Sequence, residues 1–200
     1  MLNSGSQLSY SIPFSEKRNV KLEGEAWLDV KHDKDHPFIV SVGNSLVKVL
    51  GTSLNLSSYA NENYIEIVLK NGKVNFIGEK GDKEITMVPL ERLIFKKGMV
   101  SKSKVDPSKY NAWTDGKLVF RSDSMAEVAR RIERWYNIKI LLADKTLEKY
   151  TFRATFQDDK LEDVLRFLAM TSPITYKIIP AKVLADGTYK KVEVILYRKK

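Results

Sequence analysis

The sequence predicts a mainly β protein with an α+β C-terminal part. An N-terminal all-β sandwich or roll over residues 1–105 precedes a small two-helix domain of tandem βαβ-like units over 112–200. Three observations predict it. Apolar and polar residues alternate over most of residues 17–100, the period of half-buried strands. After residue 112 the apolar period lengthens to that of a helix. A pattern running from Phe120 to Ile138 then returns 36 positions later.

Val20, Leu22, Ala26, Leu28 and Val30 alternate with Lys21, Glu23 and Asp29, a first strand. Phe38–Val42 and Leu46–Leu50 flank Gly43-Asn44, a hairpin turn. Leu54–Ser58 follows Gly51-Thr52. Tyr64–Lys70 and Lys73–Ile77 flank Asn71-Gly72, the strongest short hairpin signal in the chain. Gly81-Asp82 turns into a strand at Lys83–Val88, and Leu90–Phe95 follows Pro89. Many short strands with turns at this spacing predict a sandwich, roll or partly wound barrel. Ser101–Tyr110, rich in lysine and without an apolar pattern, reads as the linker.

Beyond it, Ser124-Met125-Ala126-Glu127 fits a capping box. Met125, Val128, Ala129, Ile132 and Trp135 then form one apolar helix face, and Ile138–Leu142 reads as a strand. At an offset of 36, Phe120 matches Phe156, Asp123 Asp159, Met125 Leu161, Val128 Val164, Arg130 Arg166, Ile132 Leu168 and Ile138 Ile174. The reading is two βαβ-like units packing helices near 124–136 and 160–170 on one small sheet. Val192–Tyr197, after Asp186-Gly187, supplies a last strand.

Composition narrows the function classes. With no cysteine, disulfides, zinc–thiolate sites, iron–sulfur clusters and thiol nucleophiles are excluded. No apolar run exceeds four residues, so no membrane span lies within these 200, and an export signal or membrane anchor would lie outside them. Net charge is +9, divided as +3 over residues 1–111 and +6 over 112–200. Acidic residues are interleaved with the basic ones, which weakens the phosphate-facing field that nucleic-acid binding needs, so no nucleic-acid partner is expected.

Candidate sites are few. His32-Asp33-Lys34-Asp35-His36 has metal-ligand chemistry, but it sits between two strands with no third and fourth ligand placed by spacing, so a solvated turn is expected. Asp159, with Glu162 three residues on, stands where a helix N-cap belongs. Glu23 and Glu25 flank Gly24 on one strand and read as an exposed face. Trp113, Phe120, Trp135 and Tyr136 could stack on sugars or bases, although Trp135 falls on the apolar helix face. Arg130, Arg131 and Arg134 lie mainly on the opposite face and are the candidate partner-binding residues for an acidic partner. No catalytic residue, metal site or cofactor is expected, since neither GxGxxG nor GxxxxGK[ST] occurs and no nucleophile is set beside a base.

Several motifs, in order, resemble the periplasmic β-domain of FecR-type anti-sigma factors. They are Leu2-Asn3-Ser4-Gly5-Ser6, Val20-Lys21-Leu22-Glu23-Gly24-Glu25-Ala26, Pro37-Phe38, Val49-Leu50-Gly51-Thr52 with Leu54-Asn55-Leu56, and Leu69-Lys70-Asn71-Gly72-Lys73-Val74. Ala112-Trp113, Gly116-Lys117-Leu118-Val119-Phe120 and Glu133-Arg134-Trp135-Tyr136-Asn137 resemble the C-terminal domain that follows it, itself similar to the short signalling domain of secretins and TonB-dependent transducers. Where the family carries a Pro-Gly-Glu-like turn, Val88-Pro89-Leu90-Glu91-Arg92 keeps the Pro and Glu and lacks the Gly. The resemblance also implies that the chain starts inside the family's β-domain, with the membrane helix and sigma-binding segment outside it. It implies a regulator without catalysis: the periplasmic region of an inner-membrane anti-sigma factor. That region would bind the signalling domain of an outer-membrane TonB-dependent transducer and relay its state to a sigma factor through a cytoplasmic segment absent here. Strand addition at a sheet edge is the expected docking mode, with the arginines steering encounter. The alternative from the residues alone is a periplasmic or surface carbohydrate-binding module using exposed aromatics.

Overall fold

A computed structural model describes residues 1–12, 18–79, 81 and 84–199. Of the expected strand region, Lys17, Lys80, Asp82 and Lys83 lie outside the described residues. The chain divides into two compact units, Met1–Thr114 and Asp115–Lys200.

Ten strands build the first unit. They are β1 (Gln7–Tyr10), β2 (Arg18–Val30), β3 (Phe38–Val42), β4 (Ser45–Val49), β5 (Thr52–Ser58), β6 (Ile65–Asn71), β7 (Val74–Ile77), β8 (Ile85–Met87), β9 (Glu91–Lys96) and β10 (Met99–Lys104). They run in the order β10-β9-β6-β5-β2-β3-β4-β7-β8, with β1 also on β2. The thirteen-residue β2 serves both halves of this sheet. Arg18–Lys21 run parallel to β3, and Gly24–Val30 run antiparallel to β5. Between them Gly24 takes φ +100°, and a Cβ there would lie 2.4 Å from Ser6 Oγ, so only glycine fits this bend. The sheet curls over one core in which Leu22, Leu54, Leu56, Ile67, Leu69, Phe76, Met87 and Leu93 are fully enclosed.

The Gly43-Asn44 hairpin is present, with Val42 opposite Ser45. The Asn71-Gly72 hairpin is not. β6 pairs with β5 and β9, while β7 pairs with β4 and β8. The dipeptide instead carries the chain from one half of the sheet to the other. Asn71 Oδ1 accepts from Gly72 N–H at 2.9 Å, and a Cβ on Gly72 would meet the Gly51 carbonyl at 2.4 Å. Two crossing points are thus packed together. The expected linker is also corrected. Ser101–Lys104 belong to β10, paired along its length with β9, and Ser108–Asn111 form a short helix α1. Lys102 looks like linker composition, but its ammonium bonds Glu91 at 2.7 Å and the Thr86 carbonyl at 3.0 Å.

The second unit holds β11 (Lys117–Ser124), α2 (Met125–Tyr136), β12 (Lys139–Leu142), β13 (Thr151–Gln157), α3 (Leu161–Thr171), β14 (Ile174–Ile179), β15 (Lys182–Val183), β16 (Tyr189–Lys190) and β17 (Glu193–Arg198). Strand–helix–strand occurs twice, but on two sheets rather than the expected one. β11 pairs antiparallel with β13, and β12-β17-β14 form a separate three-stranded sheet. Ser124 is both the last residue of β11 and the N-cap of α2, so the strand passes directly into the helix. Each strand–helix–strand repeat gives its first strand to one sheet and its second to the other.

The 36-residue repeat is visible in backbone geometry. Ser122 and Asp158 both take left-handed φ, +59° and +57°. Asp123 then accepts from Arg121 N–H at 2.7 Å, and Asp159 from Gln157 N–H at 2.9 Å. Asp159 is therefore not the N-cap. Lys160 occupies that position and makes no side-chain cap bond. In the first repeat Ser124 Oγ accepts from Glu127 N–H at 3.3 Å, but the Glu127 carboxylate pairs with Arg130 rather than reaching back, so only half of the capping box forms.

Candidate functional site

The histidine segment folds as a solvated turn. Asp33 Oδ1 accepts from the N–H groups of Asp35 and His36, each at 3.0 Å, and Asp33 Oδ2 lies 3.0 Å from His36 Nδ1. These bonds, led by the His36 N–H, hold the Asp33 carboxyl below its ordinary pKa. His32 borders an open depression of about 530 Å³ shared with Lys34, Lys48 and Lys73, ammonium groups that repel a cation. Among the described residues, no three histidine, cysteine or carboxylate side chains are grouped to hold a metal.

Glu25 overturns the reading of an exposed face. Val20, Leu22, Ala26, Leu28 and Val30 keep one parity toward the core. The opposite face is covered at Glu25 by Asn3 and Asn55, so Glu23 is solvent-exposed beside Lys21 while Glu25 is buried. Glu25 Oε1 accepts from Asn55 Nδ2 and Oε2 from Asn3 Nδ2, both at 2.8 Å. Trp113 Nε1–H donates to Asn55 Oδ1 at 3.0 Å. A buried polar chain thus runs Asn3–Glu25–Asn55–Trp113 within the first unit, each link answering a group that would be costly to leave unpaired. Nothing in the sequence signals this polar chain, because Asn3, Asn55 and Trp113 are distant from Glu25 in the sequence.

The aromatics are committed internally. Phe120 is buried, Trp135 packs against the core of the second unit, and Tyr136 donates to the Asp159 carbonyl at 2.7 Å. Burial and the nearby Asp159, Asp163 and Glu162 push the Tyr136 hydroxyl up to about 12, so it stays a donor.

The three arginines share α2 but differ in role. Arg130 pairs with Glu127, and burial of that carboxylate is outweighed by Arg130, Arg134 and Arg131, which together lower its pKa. Arg131 folds back, donating to the Val119 carbonyl of β11, with its guanidinium 5.0 Å from the Phe120 ring centroid. Arg134 lies in the last turn, where a cation suits the helix dipole. Among the described residues, no helix is long and apolar enough to cross a membrane.

A family model described as FecR protein matches residues 1–83, and one described as FecR, C-terminal, matches residues 117–184. No curated protein matches the chain. Two crystal structures of a candidate anti-sigma factor from Parabacteroides distasonis ATCC 8503 are similar over all of this chain and 89% of theirs. Identity is 28% in both, and the TM-scores are 0.82 and 0.80. The same two-part architecture, matched part by part in the same order, leads to one assignment: this chain belongs to the FecR family of anti-sigma factors.

Proposed function

We propose that the chain is the periplasmic sensor region of an anti-sigma factor anchored in the inner membrane. It binds the signalling domain of an outer-membrane TonB-dependent transducer and relays its state to a sigma factor. The observation that carries this reading is the match of both parts of the chain to one regulatory family. Membership of a regulatory family supports recognition as the chain's activity. Relay requires different affinities for the transducer's states, because a contact equal in both would shift nothing. Arg130, Arg131 and Arg134 enter as positive charge that steers an acidic partner. Because Arg131 holds β11, Arg134→Glu is the cleaner probe. It should slow association with the signalling domain roughly two- to tenfold at low salt, and the loss should shrink as salt rises. The reading is tested by co-purifying the full-length protein with the products of neighbouring genes. A transducer and a sigma factor in the complex support it. Titration with oligosaccharides that gives saturable binding, with neither protein recovered, would assign the chain to carbohydrate recognition instead.

A further inference from the structure

We infer that the outer edge of β13, with Phe167 and Met170 of α3 beside it, is the docking surface for an extended strand of the transducer's signalling domain. This rests on the function proposed above.

The repeat supplies an internal comparison. In a strand, successive residues turn their N–H and C=O groups to opposite sides. Arg121 N–H goes to Asp123, Gln157 N–H to Asp159, and the Val119 carbonyl to Arg131. The odd-numbered residues paired between β11 and β13 therefore turn their main-chain groups outward. Val119 lies opposite Thr155, and Arg121 opposite Arg153. On β11 the Val119 carbonyl is answered by Arg131 and the Arg121 N–H by Asp123. On β13 the outward groups of Arg153 and Thr155 have no hydrogen bond to other described residues.

The difference lies in the helices. Thirty-six positions after Arg131 stands Phe167, and after Arg134 stands Met170. Phe167 has nothing to donate to Thr155. Its ring packs against Phe152 and Phe156, at 6.1 and 5.7 Å between centroids, yet it is 42% exposed, and Met170 one turn on is 77% exposed. An open strand edge beside an exposed apolar pair is a combination that folded proteins otherwise cover or charge. In the other sheet, β12 is covered: Ile140 N–H donates to Glu133 Oε1 at 2.7 Å. The occupant that fits β13 is extended backbone. Its N–H and C=O groups pair with Arg153 and Thr155, and one of its apolar side chains lies over Phe167 and Met170. A carboxylate in that segment would meet the exposed Arg153 side chain.

The test uses the full chain and the isolated signalling domain of the transducer encoded beside its gene. In the complex, amide exchange across Phe152–Gln157 should slow about tenfold or more, while the edge strand β10 is unchanged. Phe167→Arg places in the second repeat the residue that seals the first, and Thr155→Pro removes an outward N–H. Each should weaken binding about tenfold or more, with thermal melting like the parent's. If the parent chain does not bind, the proposed function fails and this surface with it. If it binds, but both variants bind within about twofold of it and Phe152–Gln157 gain no protection, the surface is wrong and the function stands. Protection of the same segment by self-association of the chain alone would give the edge to a second copy and overturn the proposal.

Discussion

Leu90 takes φ +68° in the turn Val88-Pro89-Leu90-Glu91, a backbone region that costs a residue with a Cβ about 1–2 kcal/mol. The turn keeps its form without the family's glycine because its bonds are main-chain or come from Glu91. Leu90 N–H reaches the Leu69 carbonyl at 2.9 Å, Val105 N–H reaches the Leu90 carbonyl at 2.8 Å, and Val88 N–H reaches Glu91 Oε2 at 2.9 Å. The Leu90 side chain is half exposed and adds little packing. Leu90→Gly should therefore stabilise the chain by about 0.5–1 kcal/mol after the greater chain entropy of glycine is counted, read as a higher midpoint in urea. A lower midpoint would show that Leu90 packs more than its exposure indicates. Glu133 makes a second case. Burial raises its carboxyl above 4.5, only partly offset by the Ile140 N–H, Lys139, Arg130 and Arg134. A raised pKa in the folded state means its contribution is fully present below the unfolded value and is lost as pH rises through the folded one. Glu133→Gln keeps an oxygen for Ile140 N–H and does not ionise. Its stability relative to the parent should rise between pH 4 and 7 by roughly a few tenths of a kcal/mol, because solvent screens a half-buried carboxylate. A relative stability that falls with pH would mean the charge is net favourable there.

At the scale of elements, legibility followed the range of the interaction. The Gly43-Asn44 hairpin and both long helices were readable because turn residues and helix periodicity act within a few positions. Asn71-Gly72 misled because it sets local dihedrals but not which strands pair, and β6 and β7 pair with strands other than each other. Glu25 was hidden because the residues that cover it, Asn3 and Asn55, lie far away in the chain, and the inward turn of Arg131 by a carbonyl on β11. The repeat was legible as a pattern, but its asymmetry was not, since Lys160 stands where Ser124 caps. Lys160 already has extended geometry, φ −77° and ψ 155°, close to the −61° and 150° of Ser124. The Asp163 N–H already reaches the Lys160 carbonyl at 3.1 Å. Lys160→Ser should therefore supply a side-chain acceptor for the Glu162 N–H and stabilise α3 by about 0.5–1 kcal/mol, read from thermal melting of the full chain. No gain would mean that the first turn of α3 is already satisfied by other groups.

For the whole molecule, the two units differ in what they offer a partner. In the first unit, polar links such as Asn3–Glu25–Asn55–Trp113 and the Lys102 contacts are internal. The second unit carries two copies of one motif, one edge sealed and one open, and most of the chain's positive charge. Under the function proposed above, that distribution favours the second unit for recognition and makes binding the activity to measure. The most direct measurement is a calorimetric titration of the 200-residue chain with the isolated signalling domain of the transducer encoded beside its gene. The account predicts saturable one-to-one binding with a Kd of about 10 μM or tighter, and no heat with a signalling domain from an unrelated transducer. Absence of binding up to about 1 mM, or equal binding to both domains, would contradict it.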